Sequence, residues 1–171
     1  MKYVLHPRMP EVHLRTGGLI VTAEPQWIIT VLGSCISVTM FCPRMSLAGI
    51  CHAMLPRPRT PNPDSENVER YRFVSYAIPG MLDMFHRAGI QNNEIEVKMF
   101  GGASVLQAGC DVQHDRWVGN ANIIAAREVL KETRLKLIAE SVGGLRGRKI
   151  IFNTQTGAVL HKHLGKAHER I

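Results

Sequence analysis

The segment ISVTMFC, residues 36–42, constrains the fold of this chain more than any other. It is rich in β-branched residues, and after the turn-forming PRMS comes a second apolar run, LAGICHAML (47–55). Two such runs joined by a short turn predict an antiparallel β-hairpin. Successive side chains of a strand point to opposite faces. One face of the first strand is therefore expected to be the core side, formed by Ile36, Val38, Met40 and Cys42.

The rest of the chain mixes further strands with two helices. Short β-branched runs between turn residues predict strands at 18–23, 27–32, 95–100, 136–142, 149–153 and 157–164. Helical spacing of apolar residues predicts a helix over 68–89, with a kink or a new start at Pro79. A second helix is expected to run to about Arg134, capped by Asn120 or Asn122. Segments predicted to be irregular are 1–15, 56–67 and 107–117. This order favours a single α/β domain spanning residues 1–171, with a mixed sheet and outer helices.

Composition narrows the classes of function. The 171 residues carry a net charge of +7, but the basic residues are spread out and only 6% of residues are aromatic. No nucleic-acid-binding signature accompanies that charge, so a basic soluble surface explains it better than nucleic acid does. The apolar runs are shorter than the ~20 residues of a membrane helix, and the first residues lack a secretory h-region. A cytoplasmic protein with reduced thiols is expected.

The motif GSC, residues 33–35, interrupts the apolar run before the hairpin. If Cys42 pairs with Leu47, then Ser37 lies opposite His52, and Cys35 lies diagonally from that histidine on the same face. Diagonal neighbours are ~7–8 Å apart at the backbone, within reach of side chains. A thiol beside an imidazole predicts a cysteine nucleophile with a lowered pKa. The prediction depends on register, because a slip of one residue would move His52 to the other face.

Neighbouring residues suggest the other roles that such a nucleophile requires. Thr30 would orient the imidazole, and the backbone N–H groups of the turn at Gly33 and Ser34 are candidate oxyanion donors. Cys42 and Cys51 point to the other face and are expected to be structural. From the residues alone, three plainer interpretations stay open: a buried core thiol, a hydrogen-bonded strand histidine and an ordinary strand threonine.

Five specific motifs follow one another along the chain: TVLGSC (30–35), HAMLP (52–56), FGGA (100–103), VGNANI (118–123) and GGLRGRKIIFNTQTGAV (143–159). Taken together in this order, they resemble a known family, the chemoreceptor glutamine deamidases called CheD. The resemblance runs from about Gly18 to Lys162, and the separation of seventeen residues between the cysteine and the histidine also looks like the family's.

The resemblance implies a layered α/β sandwich, with a largely antiparallel mixed sheet, that acts as a cysteine hydrolase on protein-bound glutamine. Family members convert selected Gln side chains of methyl-accepting chemotaxis receptors to Glu. The family's nucleophile maps onto Cys35, its histidine onto His52 and its catalytic threonine onto Thr30. No metal or cofactor is implied. The implied partners are the cytoplasmic helical regions of the receptors and, in many members, the phosphatase CheC.

Two other functions stay open at this stage. The chain would be a non-catalytic adaptor if it only bound receptors or a CheC-like phosphatase and modulated it. It would be a cysteine amidohydrolase with a different substrate if the site were active but receptors were not its target. A metal site at Cys110 and His114 is a weaker hypothesis, because their spacing has meaning only on a helix.

Overall fold

The strands of this protein divide between two sheets. The computed structural model describes residues 9–60, 68–104 and 112–165. The strands in chain order are β1 (Glu11–His13), β2 (Leu19–Thr22), β3 (Trp27–Leu32), β4 (Ile36–Cys42), β5 (Leu47–Cys51), β6 (Glu96–Gly101), β7 (Leu137–Val142), β8 (Arg148–Asn153) and β9 (Val159–His163). The helices are α1 (Val74–Arg87) and α2 (Val112–Glu132). One sheet has the order β1-β3-β8-β9, and the other has the order β2-β5-β4-β6-β7.

The predicted hairpin is confirmed. Strands β4 and β5 are antiparallel, with Cys42 opposite Leu47 as the sequence predicts. Beyond the ladder, Ile36 and Ala53 exchange two backbone hydrogen bonds of 2.8 Å, so the same register continues to the start of β4. A short 3-10 helix, Pro43–Met45, makes the turn.

The two faces of β4 pack against different layers, and both are buried. Ile36, Val38, Met40 and Cys42 lie in the core that includes Ile78, Met81 and Phe85 of α1 and Ala126 and Val129 of α2. The other face packs against the four-stranded sheet, where Phe41 and Ile50 meet Ile28 and Phe152. The layers are therefore helices, a five-stranded sheet and a four-stranded sheet. The predicted α/β layered fold is confirmed, with its strands divided between two sheets.

Three boundaries differ from the predictions. The loop predicted at 107–117 is wrong from Val112 onward, because α2 begins there. No proline or glycine interrupts 112–118, and extending a helix that is already formed costs little. Asn120 and Asn122 consequently lie inside α2 and cap nothing. The rest of that predicted loop, and residues 61–67 of the Pro-rich loop, lie outside the described residues.

The other two differences concern helix α1 and the short strand β1. Helix α1 passes through Pro79 without a new start, after a separate 3-10 turn at Val68–Arg72. Strand β1 falls within the segment predicted to be irregular, and pairs in parallel with β3. A strand of three residues is too short for the alternation of apolar and polar residues to be recognised in the sequence. In the described part of the chain, no helix is long and apolar enough to cross a membrane.

Candidate active site

The GSC motif is the crossing point between the two sheets. Leu32 ends β3 in one sheet and Ile36 begins β4 in the other, so residues 33–35 must turn between layers within three positions. Cys35 is only half-buried and packs at the edge of the cluster between the sheets. The thiol is therefore held at an accessible end of an otherwise buried strand.

Hydrogen bonds fix each carbonyl of this turn. The N–H of Ala103 donates to Gly33 O over 2.9 Å, and the N–H of Gly102 donates to Cys35 O over 2.7 Å. Ser34 O accepts from the side-chain Nδ2 of Asn122 at 3.0 Å. In a trans peptide the N–H points away from the preceding carbonyl. The N–H groups of Ser34 and Cys35 are thus each directed away from the donor that binds the carbonyl of the same peptide, and within the described residues neither donates to another residue.

His52 follows the last residue of β5 and lies on the same face as Cys35. Its backbone is held by two hydrogen bonds to the chain before β2: its N–H donates to Gly18 O at 2.9 Å, and its carbonyl accepts from Gly17 N–H at 2.7 Å. The register fixed by Ile36 and Ala53 places Ser37 opposite His52 and Cys35 diagonal to it. The structure therefore has the register on which the sequence prediction depends.

Thr30 reaches the histidine from the opposite sheet. Its hydroxyl Oγ1 lies 2.7 Å from His52 Nδ1. The same hydroxyl donates its single hydrogen to Leu14 O at 2.9 Å, so it must accept from Nδ1–H. This pair of bonds selects the tautomer that carries its proton on Nδ1. The lone pair of Nε2 is then free to accept a proton.

Burial sets the charge state of the pair. Desolvation lowers the pKa of His52 to about 4, and the imidazole is only 3% exposed. Desolvation also raises the pKa of the Cys35 thiol, partly offset by the residue's own backbone N–H. The sequence-based expectation of a lowered thiol pKa is therefore wrong for the resting site. Both groups are therefore neutral at rest, and in the described part of the chain no hydrogen bond joins the Cys35 thiol to His52.

The other described cysteines are enclosed by the core. Cys42 and Cys51 are fully buried on the helix side of the five-stranded sheet, opposite to the face of His52. Desolvation raises the pKa of Cys51 to about 11. Both observations agree with the expected structural role. Cys110 lies outside the described residues, so the metal hypothesis at Cys110 and His114 stays a prediction.

Sequence reasoning missed two residues that support the turn. Arg148 is buried and donates to Ser141 O and Gly143 O, which fixes the loop beside the FGGA segment. Asn122, which the sequence predicts only as a candidate helix cap, donates directly to the GSC turn. Its signal in the sequence is a polar residue on the otherwise apolar inner face of α2. In the described segments, no group of three His, Cys, Asp or Glu side chains is arranged to hold a metal ion.

Comparison with known proteins gives one consistent family. The model of the family described as CheD chemotactic sensory transduction matches residues 54–163. A probable chemoreceptor glutamine deamidase CheD 2 of Geobacter sulfurreducens is 41% identical, with 94% of each chain covered. The corresponding protein of Oleidesulfovibrio alaskensis is 46% identical over 93% of this chain and 75% of its own. That of Maridesulfovibrio salexigens is 38% identical over 91% of this chain and 92% of its own.

Proposed function

The chain belongs to the CheD family, and we propose on that premise that it is a protein-glutamine deamidase of bacterial chemotaxis. Its substrates would be selected Gln side chains of methyl-accepting chemotaxis receptors, which it converts to Glu. The observation that carries the proposal is the hydrogen bond from His52 Nδ1 to Thr30, which leaves Nε2 as a base on the face of Cys35.

The residues account for each step of amide hydrolysis. Cys35 Sγ attacks the δ-carbon of glutamine while His52 Nε2 takes the thiol proton. The N–H groups of Cys35 and Ser34 stabilise the oxyanion of the tetrahedral intermediate. His52 then protonates the leaving nitrogen, and ammonia departs from the tetrahedral intermediate, which leaves a thioester on Cys35. A water molecule, deprotonated by His52, hydrolyses the thioester to Glu and regenerates the Cys35 thiol.

Receptors are the proposed macromolecular partners, bound through their cytoplasmic helical region. The net charge of +7 suits helices rich in glutamate around methylation sites. A CheC-like phosphatase is a second proposed partner, and the cytoplasm is the proposed location. We treat residues 1–171 as one deamidase domain in this proposal.

Incubation with receptor cytoplasmic fragments, followed by peptide mass spectrometry, tests the activity. Wild type is expected to convert specific amides to acids, and Cys35→Ala is expected to convert none. Cys51→Ala, which removes a thiol from the other face of β5, is expected to remain active. Binding to receptors without any conversion by wild type would support the adaptor function instead. Conversion that survives in Cys35→Ala would overturn the nucleophile assignment.

A further inference from the structure

Asn122 of α2 holds two chain segments that meet at the candidate site. Its Nδ2 donates to Ser34 O and to Met54 O, both at 3.0 Å. Ser34 precedes the nucleophile, and Met54 lies two residues beyond the histidine. The side chain therefore joins the two strands just past the Ile36–Ala53 bridge, where their own ladder has ended.

Asn122 is buried, whereas asparagine side chains are mostly exposed in folded proteins. The residue is fully buried, and among the described residues its Oδ1 has no hydrogen-bond partner. A buried acceptor without a partner is unfavourable and rare in folded proteins. The two hydrogen bonds that the amide donates therefore offset the cost of burying its unpaired oxygen.

The geometry of α2 brings the amide to the turn. A Cβ on Gly119, one turn before Asn122, would lie 2.8 Å from Gly102 O and 3.0 Å from Ala103 O. Only a glycine permits this close approach of α2 to the FGGA segment, which itself donates to the carbonyls of Gly33 and Cys35. The helix and that segment therefore pack against each other, and together they supply the donors to the carbonyls of the GSC turn.

We propose that Asn122 is a positioning residue, which orients the Ser34–Cys35 peptide so that its N–H faces the reacting oxygen of the substrate. Because this peptide is planar and trans, a donor on Ser34 O fixes the direction of the Cys35 N–H. The second bond, to Met54 O, ties that peptide to the segment that carries His52. The inference rests on the proposed deamidase function for its effect on catalysis, but the peptide orientation itself is testable without a substrate.

Alkylation of Cys35 by iodoacetamide, mapped by peptide mass spectrometry across a pH series, reports that orientation. The Cys35 N–H lies close enough to its own sulfur to favour the thiolate. Asn122→Ala and Asn122→Leu are both expected to raise the apparent thiol pKa, by about half a unit or more, because the peptide is free to rotate. Asn122→Leu fills the space, so a cavity does not explain a shift that both variants share.

The matched control is Asn92→Ala. The Nδ2 of Asn92 also donates to a backbone carbonyl, Thr133 O at 2.7 Å, but at the opposite end of β6 from the site. Relative to this control, the Asn122 variants are expected to lose about 10- to 100-fold in kcat on receptor fragments with KM unchanged. Circular dichroism identifies the variants that fold, and Asn122→Leu decides between loss of the hydrogen bonds and creation of a cavity.

Each outcome decides the inference. An alkylation profile like that of the control, with kcat also like the control, would show that Asn122 is only a packing residue. A raised thiol pKa with a reduced kcat supports the positioning role. If wild type deamidates no receptor, the proposed function fails, and the alkylation profile alone then decides the role of Asn122.

Discussion

His52 Nδ1 and Thr30 Oγ1 lie 2.7 Å apart, although these residues belong to different sheets. The hydroxyl donates onward to Leu14 O, so the direction of every hydrogen bond in this chain of groups is determined. The imidazole is thereby fixed in one tautomer and in one plane. This contact between layers leaves the lone pair of His52 Nε2 free, as the proposed role of a general base requires.

Replacing Thr30 with valine keeps the shape and removes the acceptor of Nδ1–H. We expect kcat on receptor fragments to fall about 100-fold or more, because the wrong tautomer and a rotated ring become accessible. Thr30→Ser is expected to keep most of the activity. Thr39→Val, which removes a buried hydroxyl from β4, is the control, and an equal loss there would contradict the orienting role.

The pH dependence of kcat/KM reports the base in the free enzyme. Since burial lowers the pKa of His52 to about 4, the neutral imidazole persists far below the ordinary value of 6.5. We expect activity to be retained as pH falls from neutrality and to be lost only as it approaches about 4. An acidic limb near the ordinary histidine value would contradict a desolvated base.

The same pKa predicts how stability depends on pH. Between about 4 and 6.5, the unfolded chain protonates His52 and the folded chain does not. The unfolded state binds more protons there, so the free energy of unfolding falls as pH is lowered through this window. The contribution is on the order of 3 kcal/mol. Urea denaturation of wild type and His52→Gln measures it: the wild type is expected to lose more stability on acidification, and parallel curves would refute the prediction.

The reactivity of the cysteines follows their exposure. Cys35 is half-buried, whereas Cys42 and Cys51 are fully buried. In the folded protein, iodoacetamide is expected to modify Cys35 and to leave the two buried thiols unmodified until urea unfolds the chain. The rate at Cys35 should still rise above pH 9.0, because desolvation raises its pKa from that value. Fast alkylation at mildly acidic pH would instead indicate a resting thiolate–imidazolium pair.

Substitution of Gly101 tests how much a steric overlap adds to backbone strain. Its φ is 112°, and an added Cβ would overlap the carbonyl oxygen of Cys35. Gly101→Ala is expected to destabilise the fold by about 3 kcal/mol or more, through strain and overlap together. Gly89→Ala is the matched control, since φ there is 77° but no atom lies within 4 Å of the added Cβ. Equal losses in urea denaturation would show that the contact with Cys35 is unimportant.

Local patterns determined the hairpin and therefore the register that places Cys35 and His52 on the same face. Alternation along β4, a four-residue turn and the apolar run of β5 are close in the chain, and a period of two leaves one register that buries the correct face. The pKa of the thiol was predicted in the wrong direction, because its value depends on how many atoms from other elements surround it. No local pattern carries that information.

The sequence by itself determined the positions of β2 to β9 along the chain, the face of each residue in the hairpin and, through the family's motifs, the class of chemistry. Only the tertiary structure decided that Thr30 meets His52 across two sheets and that Asn122 meets Ser34, 88 positions away. The physical reason is that these contacts form when separate layers pack together, and they depend on the shapes of all the layers. The identities of the residues limit which hydrogen bonds are possible, and packing selects the ones that form.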